Sequence, residues 1–122
     1  MKIKAIGNVA LIEDKGIIIN STGDALDVMS DAVHLYSCGG IVLNRANFAP
    51  AYFDLSSGLL GEMLQKYTNY TFKVAISGSF DDIAGKSLKA FMLESNRRGD
   101  QVLFVEDEAE AIKRLAEIVT LS

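Results

Sequence analysis

The chain is poor in the residues from which most small catalytic and metal sites are built. Among its 122 residues there is one cysteine, one histidine and one proline. No apolar run approaches the roughly 18 residues that a membrane span needs. A lone cysteine, Cys38, excludes an intramolecular disulfide and fits a reducing compartment. It reads as a small buried side chain beside a helix end rather than as a nucleophile. A lone histidine, His34, leaves zinc without a ligand set, because no cysteine or second histidine stands at ligand spacing. A hydrolytic triad would have to recruit His34 from the middle of a helix, and no Gly-x-Ser-x-Gly elbow is present.

Positive charge is also scarce. Lys and Arg number 12 against 16 Asp and Glu, for a net charge of −4. That balance argues against a phosphate-backbone binder. The basic pair Arg97-Arg98 lies near a helix end, where cations complement the dipole. Aromatics make up 8% and do not interleave with basic residues, so no single-strand nucleic-acid platform is expected. The opening Met1-Lys2-Ile3-Lys4-Ala5-Ile6 alternates charge with apolar side chains like a strand. A signal peptide would need a longer unbroken apolar core, and the chain reads as cytoplasmic.

What is present is alternation of strand and helix patterns. Two short antiparallel hairpins are expected at the start: Ala10–Glu13 with Gly16–Asn20 around Asp14-Lys15, and a first strand separated from the second by Gly7-Asn8. Ser21-Thr22-Gly23-Asp24 offers a capping box to a helix with Ala25, Met29, Ala32, Val33 and Tyr36 on its inner face and Gly39-Gly40 at its end. Ile41–Leu43 reads as a strand covered on both faces. A loop holding Pro50 leads to a helix with Leu59, Leu60, Met63, Leu64 and Tyr67 at helical spacing. Phe72–Ile76 is a strand, Leu88, Phe91, Met92 and Ser95 mark a third helix closed by Gly99, and Val102–Val105 is the last strand. Asp107 opens a final helix with Ile112, Leu115, Ala116 and Val119 inward. Residues 1–122 therefore read as a single α/β domain: an N-terminal β-hairpin leading into a mostly parallel sheet with helices on its faces.

Ligand chemistry in parallel sheets collects at the carboxyl ends of strands. Those ends supply Asn44, Arg45, Ser79 and Asp81, with Asp54, Ser56 and Ser57 joining the rim if the loop after Asn44 folds back. Arg45 would be the anion contact. The segment Gly78–Ser87 ends in Gly-Lys-Ser after a strand, but six residues separate its glycines where a phosphate-binding loop has four, and Phe80 stands where a glycine is required. Lys86 and Ser87 are expected in an exposed first helical turn. The acidic run at Glu106, Asp107, Glu108 and Glu110 fits a helix start better than a metal site. No cofactor fingerprint and no nucleophile–base pair appear.

Ile41–Asn44, Phe53-Asp54-Leu55 with Gly58-Leu59 and Gly61-Glu62, Leu64-Gln65-Lys66, Asn69-Tyr70, Gly78 with Phe80, Lys86-Ser87-Leu88 and Glu94-Ser95-Asn96 together resemble a bacterial family catalogued as domain of unknown function 4180. The resemblance covers most of the chain and implies no activity. A looser one concerns Asp54-Leu55-Ser56-Ser57-Gly58-Leu59-Leu60-Gly61, which is similar to the Asp-Ser-Ser-Gly-Leu-Gly segment of the anti-sigma-factor-antagonist (STAS) domain. Leu55 and Leu60 interrupt the pattern here. That resemblance implies a STAS-like architecture and a phosphorylation switch at Ser57. The expected function is a non-enzymatic regulatory or protein-binding module, without cofactor or metal, acting on a protein partner or a second copy of itself. The alternative is a small-molecule binder or enzyme using the polar strand ends.

Overall fold

A computed structural model describes residues 1–83 and 85–121. β1 (Ile3–Ile6) and β2 (Val9–Ile12) form a hairpin about Gly7-Asn8, and α1 (Thr22–Tyr36) carries the chain to β3 (Gly40–Asn44). Three 3₁₀ turns follow, Arg45–Asn47, Pro50–Phe53 and Leu55–Ser57. Then come α2 (Leu59–Asn69), β4 (Lys73–Ser77), α3 (Lys86–Arg98), β5 (Val102–Val105) and α4 (Glu108–Leu121). The five strands lie in chain order, with β1 antiparallel to β2 and every later pair parallel. This is the expected α/β architecture, an N-terminal hairpin followed by a parallel sheet.

Helices cover both faces, unequally. The larger core joins α1, α2, α3 and the 3₁₀ segment to one face through Ile41, Leu43, Val74, Ile76 and Phe104. α4 alone covers the other, its Ala111 and Leu115 packing on Val9, Val42, Ala75 and Leu103. Successive parallel strands joined by helices on one face and advancing in one direction are the arrangement that right-handed crossovers produce. α4 approaches the sheet closely where Gly39 and Gly40 leave space. A Cβ on Gly40 would stand 2.9 Å from a Val119 methyl and 3.1 Å from the Lys73 carbonyl. Those glycines serve helix packing rather than ending α1, whose C-cap is Ser37 in the left-handed region (φ 55°).

Gly16–Asn20 does not form the second expected hairpin. The amides of Ile18 and Ile19 both donate to the Asn47 carbonyl at 2.9 Å, and Ala49 N donates to Ile19 O at 2.8 Å. The segment thus bonds to the 3₁₀ turns and not to β2, and a single parallel bridge joins Ile19 to Phe48. On α1, Ser21 caps as expected by accepting from Asp24 N, while the Asp24 carboxylate accepts from Asn20 N, one residue before the cap. Its buried stripe is Ala25, Val28, Met29 and Ala32. Val33, one helical step round from Ala32, and Tyr36, in the last turn, are 37% and 39% exposed rather than inward. No helix among the described residues is long and apolar enough to cross a membrane.

Two buried phenols fasten the start of α1. Tyr52 donates to Ser21 O and Tyr67 to Ala25 O, each at 2.7 Å. Burial pushes Tyr52 up to about 12, with Asp24 and Glu62 adding to it, and Tyr67 rises for the same main reason. The fold therefore holds the neutral phenols. Their contribution is complete below the ordinary tyrosine value of about 10 and is lost as pH rises through the folded-state value. Urea midpoints should fall between pH 10 and 12, and Tyr52→Phe should flatten part of that fall. Gly40→Ala should cost about 1–3 kcal/mol in the same assay, because the Lys73 carbonyl cannot retreat without breaking sheet register.

Candidate functional site

The carboxyl ends of β3, β4 and β5 lie side by side, since Asn44 pairs with Ser77 and Ser77 with Val105. Because strand order never reverses, this rim has no crevice of the kind that opens at a topological switch point. Its relief comes from the segment between β3 and α2. There the chain leaves β3 at Asn44, whose side chain accepts from Ala46 N at 2.8 Å and reaches Ser77 Oγ at 3.5 Å.

Asn47 then anchors the turn from inside. It is fully buried, and its side-chain amide donates to the carbonyls of Asp14 (2.8 Å) and Gly16 (3.0 Å) while its Oδ1 accepts from Asn44 N (2.8 Å). Phe48, Tyr52 and Phe53 follow it into the core. Their rings continue through Phe80 and Phe104 to Phe91, with centroids 5.1–6.1 Å apart and tilted or edge-on. Phe80, at the position where a phosphate loop would carry glycine, is thus a core aromatic.

Arg45 crosses the rim over Gly78. That glycine has φ +123° and leaves room for the arginine stem, which a Cβ would meet at 3.0 Å. The guanidinium grips both carboxylate oxygens of Asp82 (2.5 and 3.1 Å), donates to the Ser79 carbonyl, and lies 6.0 Å from the Phe80 ring centre. Its hydrogen bond to Asp82 raises the arginine further above its usual range and holds the Asp82 carboxyl below its own. Arg45, expected to meet an anion, already holds one within the chain.

At Asp54 the carboxylate accepts from both Ser56 N (3.1 Å) and Ser56 Oγ (2.6 Å). Ser57 Oγ donates to Ala51 O at 2.7 Å and accepts from Leu59 N at 3.3 Å, so this hydroxyl closes the turn and meets the first amide of α2, whose N-cap is Gly58.

These parts enclose an open cleft of about 760 Å³ between the 3₁₀ turns and the start of α3. Ile17, Phe48, Phe53, Leu55, Ile83 and Leu88 supply its apolar lining, and Arg45, Asp54, Ser56, Lys86 and Ser87 the polar one. Of the expected site residues, Arg45, Asp54 and Ser56 come together here. Ser79 and Asp81 face a separate hollow with Lys89 and Glu106. Asn44 borders a third, with Asp14, Lys15 and Glu108, and Ser57 lines none of the three. Among the described residues no cluster of three or more His, Cys, Asp or Glu is placed to hold a metal ion.

Asn47 is a residue that sequence reasoning passed over, and Lys86 and Ser87 were read as part of an exposed helical turn rather than of a site. The first had a legible signal, an Asn-x-x-Asn pair directly after a strand, which is the spacing of a capping box. Lys86 and Ser87 do occupy a first helical turn, but one that borders the cleft. Since Asn47 supports the cleft wall, Asn47→Ala should cost about 1–3 kcal/mol by urea denaturation, because two carbonyls and one amide of the adjoining loops lose the buried side chain that joins them. Arg45→Ala should cost under about 1 kcal/mol, its partner Asp82 being exposed, yet speed amide exchange across residues 79–83.

No curated protein and no solved structure matches this chain. A family model does, over residues 5–115, from the second half of β1 to the middle of α4. The chain belongs to the family described as domain of unknown function DUF4180.

Proposed function

We propose that the chain is a non-enzymatic regulatory or protein-binding module that meets its partner at the cleft between the 3₁₀ turns and α3. One observation carries this reading. Ile17 and Ile83, at 52% and 39% exposure, border a lining of buried Phe48, Phe53 and Leu88. Isolated exposed aliphatics are ordinary, but two on one cleft with an apolar floor suit insertion of a partner's side chain. Catalysis has less support. The Ser56 hydroxyl is bound to Asp54 within one turn, Arg45 is held by Asp82, and His34 sits on α1, which does not line the cleft.

Ser57 supplies a means of control. A phosphoryl group there would break the bond to Ala51 O and face Asp54 across the same turn, while the start of α2 offers N–H groups to it. The turn it would reorder contributes Asp54, Leu55 and Ser56 to the cleft.

A photo-cross-linking side chain placed at position 17, compared with one at position 113 on α4, tests the surface in cells of the native host. A discrete protein adduct from position 17 that disappears in Ile83→Glu is expected; equal labelling from both positions would remove the cleft from the interaction. With that partner, Ile17→Glu should weaken binding about tenfold or more, since a buried isoleucine side chain contributes about 1.5–3 kcal/mol. Equal affinity of wild type, Ser57→Ala and Ser57→Asp would eliminate the switch.

The cleft volume favours a second reading, a small-molecule binder or enzyme. About 760 Å³ falls within the roughly 300–1,000 Å³ typical of ligand pockets. A ligand at a hundred times its Kd adds about 2.7 kcal/mol. A thermal-shift screen over nucleotides, acyl-CoAs and common metabolites would reveal it, and a flat response would leave the protein partner as the better account.

A further inference from the structure

The two edges of the sheet are finished differently. On β5, the side-chain amide of Asn96 in α3 donates to Phe104 O at 2.9 Å and accepts from Phe104 N at 2.8 Å. That is the bonding a neighbouring strand would provide, so α3 closes the edge at its centre. β1 has no such plug. Glu13 N donates to Lys2 O, which makes Lys2/Glu13 a hydrogen-bonded pair in the hairpin register. Alternation then places Lys4/Leu11 and Ile6/Val9 as bonded pairs too, and turns the N–H and C=O groups of Ile3 and Ala5 outward. No partner for these outward groups occurs among the described residues.

The side chains of this edge define what would fit. Ile3 leans into the larger core, whereas Lys4 lies beside Leu11 and Ile6 beside Val9 on the face that α4 covers. α4 reaches β2 to β5, leaving Lys2 and Lys4 exposed and Ile6 37% exposed. Neither lysine forms an ion pair with any described carboxylate; Asp14 bonds the Lys2 amide and Glu13 is the cross-strand neighbour of Lys2. Two unpaired cations on the open edge are locally complementary to an acidic strand. They disfavour a second copy, since antiparallel pairing of β1 with itself about Lys4 sets lysine opposite lysine.

We propose that β1 is a docking edge for an extended, acidic segment of a partner protein, which adds a sixth strand by main-chain bonding to Ile3 and Ala5 and places a carboxylate against Lys4. None of these residues lines the cleft, so this surface stands or falls independently of it.

The probe is a seven-residue peptide alternating glutamate with valine, titrated into the ¹⁵N-labelled full chain. Expected are shifts at the Ile3–Ile6 amides, slowed exchange of the Ile3 and Ala5 N–H groups, and binding about tenfold weaker to Lys4→Glu. Methylating the peptide nitrogens that face β1 should abolish binding while leaving its charge intact. Ala5→Pro, which removes one outward N–H but no hairpin bond, should do the same from the protein side. Shifts confined to lysine side chains and insensitive to N-methylation would overturn the strand-addition mode. No change at residues 3–6 at millimolar peptide, or sedimentation showing a dimer that Lys4→Glu disrupts, would overturn the proposal itself.

Discussion

The buried amide of Asn47 ties together the two loops that border the cleft. Its side chain holds Asp14, Gly16 and Asn44, and its own carbonyl takes the amides of Ile18 and Ile19. The loop after β2 and the loop after β3 are thereby made into one body. An amide buried without partners would be costly, and here each polar atom of the side chain is satisfied. These bonds set the register of the two loops against each other.

From that junction the rest of the rim follows. Phe48, Tyr52 and Phe53 follow the pinned turn into the core, and their rings run on to Phe80 and Phe104. Tyr52 then reaches back to Ser21, so the same segment that builds the cleft also holds the start of α1. Arg45 leaves the junction in the other direction and clips the loop after β4 through Asp82. A sheet whose strands run in chain order offers no crevice of its own, and the 3₁₀ segment supplies the relief instead.

The sheet edges follow a related logic of satisfaction. Unpaired peptide groups on an edge strand are a template for another chain, and proteins cover them, blunt them with charge and short length, or use them. Asn96 closes β5, while β1 keeps its outward groups and presents two lysines beside them.

The alternation of apolar runs and helical stripes was enough, from the sequence alone, to determine the α/β class, the hairpin at Gly7-Asn8, a mostly parallel sheet and the inner faces of α2 and α4. These are set by local periodicity and by burial on one face, which every residue of an element repeats. Asp54 and Ser56 were legible as candidates for the rim, and the structure adds that the carboxylate of the first accepts from the amide and hydroxyl of the second. What lay between Asp14 and Asn20 was decided elsewhere. Ile17, Ile18 and Ile19 read as a strand, yet the amides of Ile18 and Ile19 had a better acceptor at Asn47, about thirty residues away in sequence. Arg45 was legible as a cation on the rim but not as one already paired, since Asp82 reaches it only after β3 and β4 align. Tertiary structure decided the cleft, the pairing of its charges and which edge of the sheet stays open, because each depends on contacts between segments that no local pattern encodes.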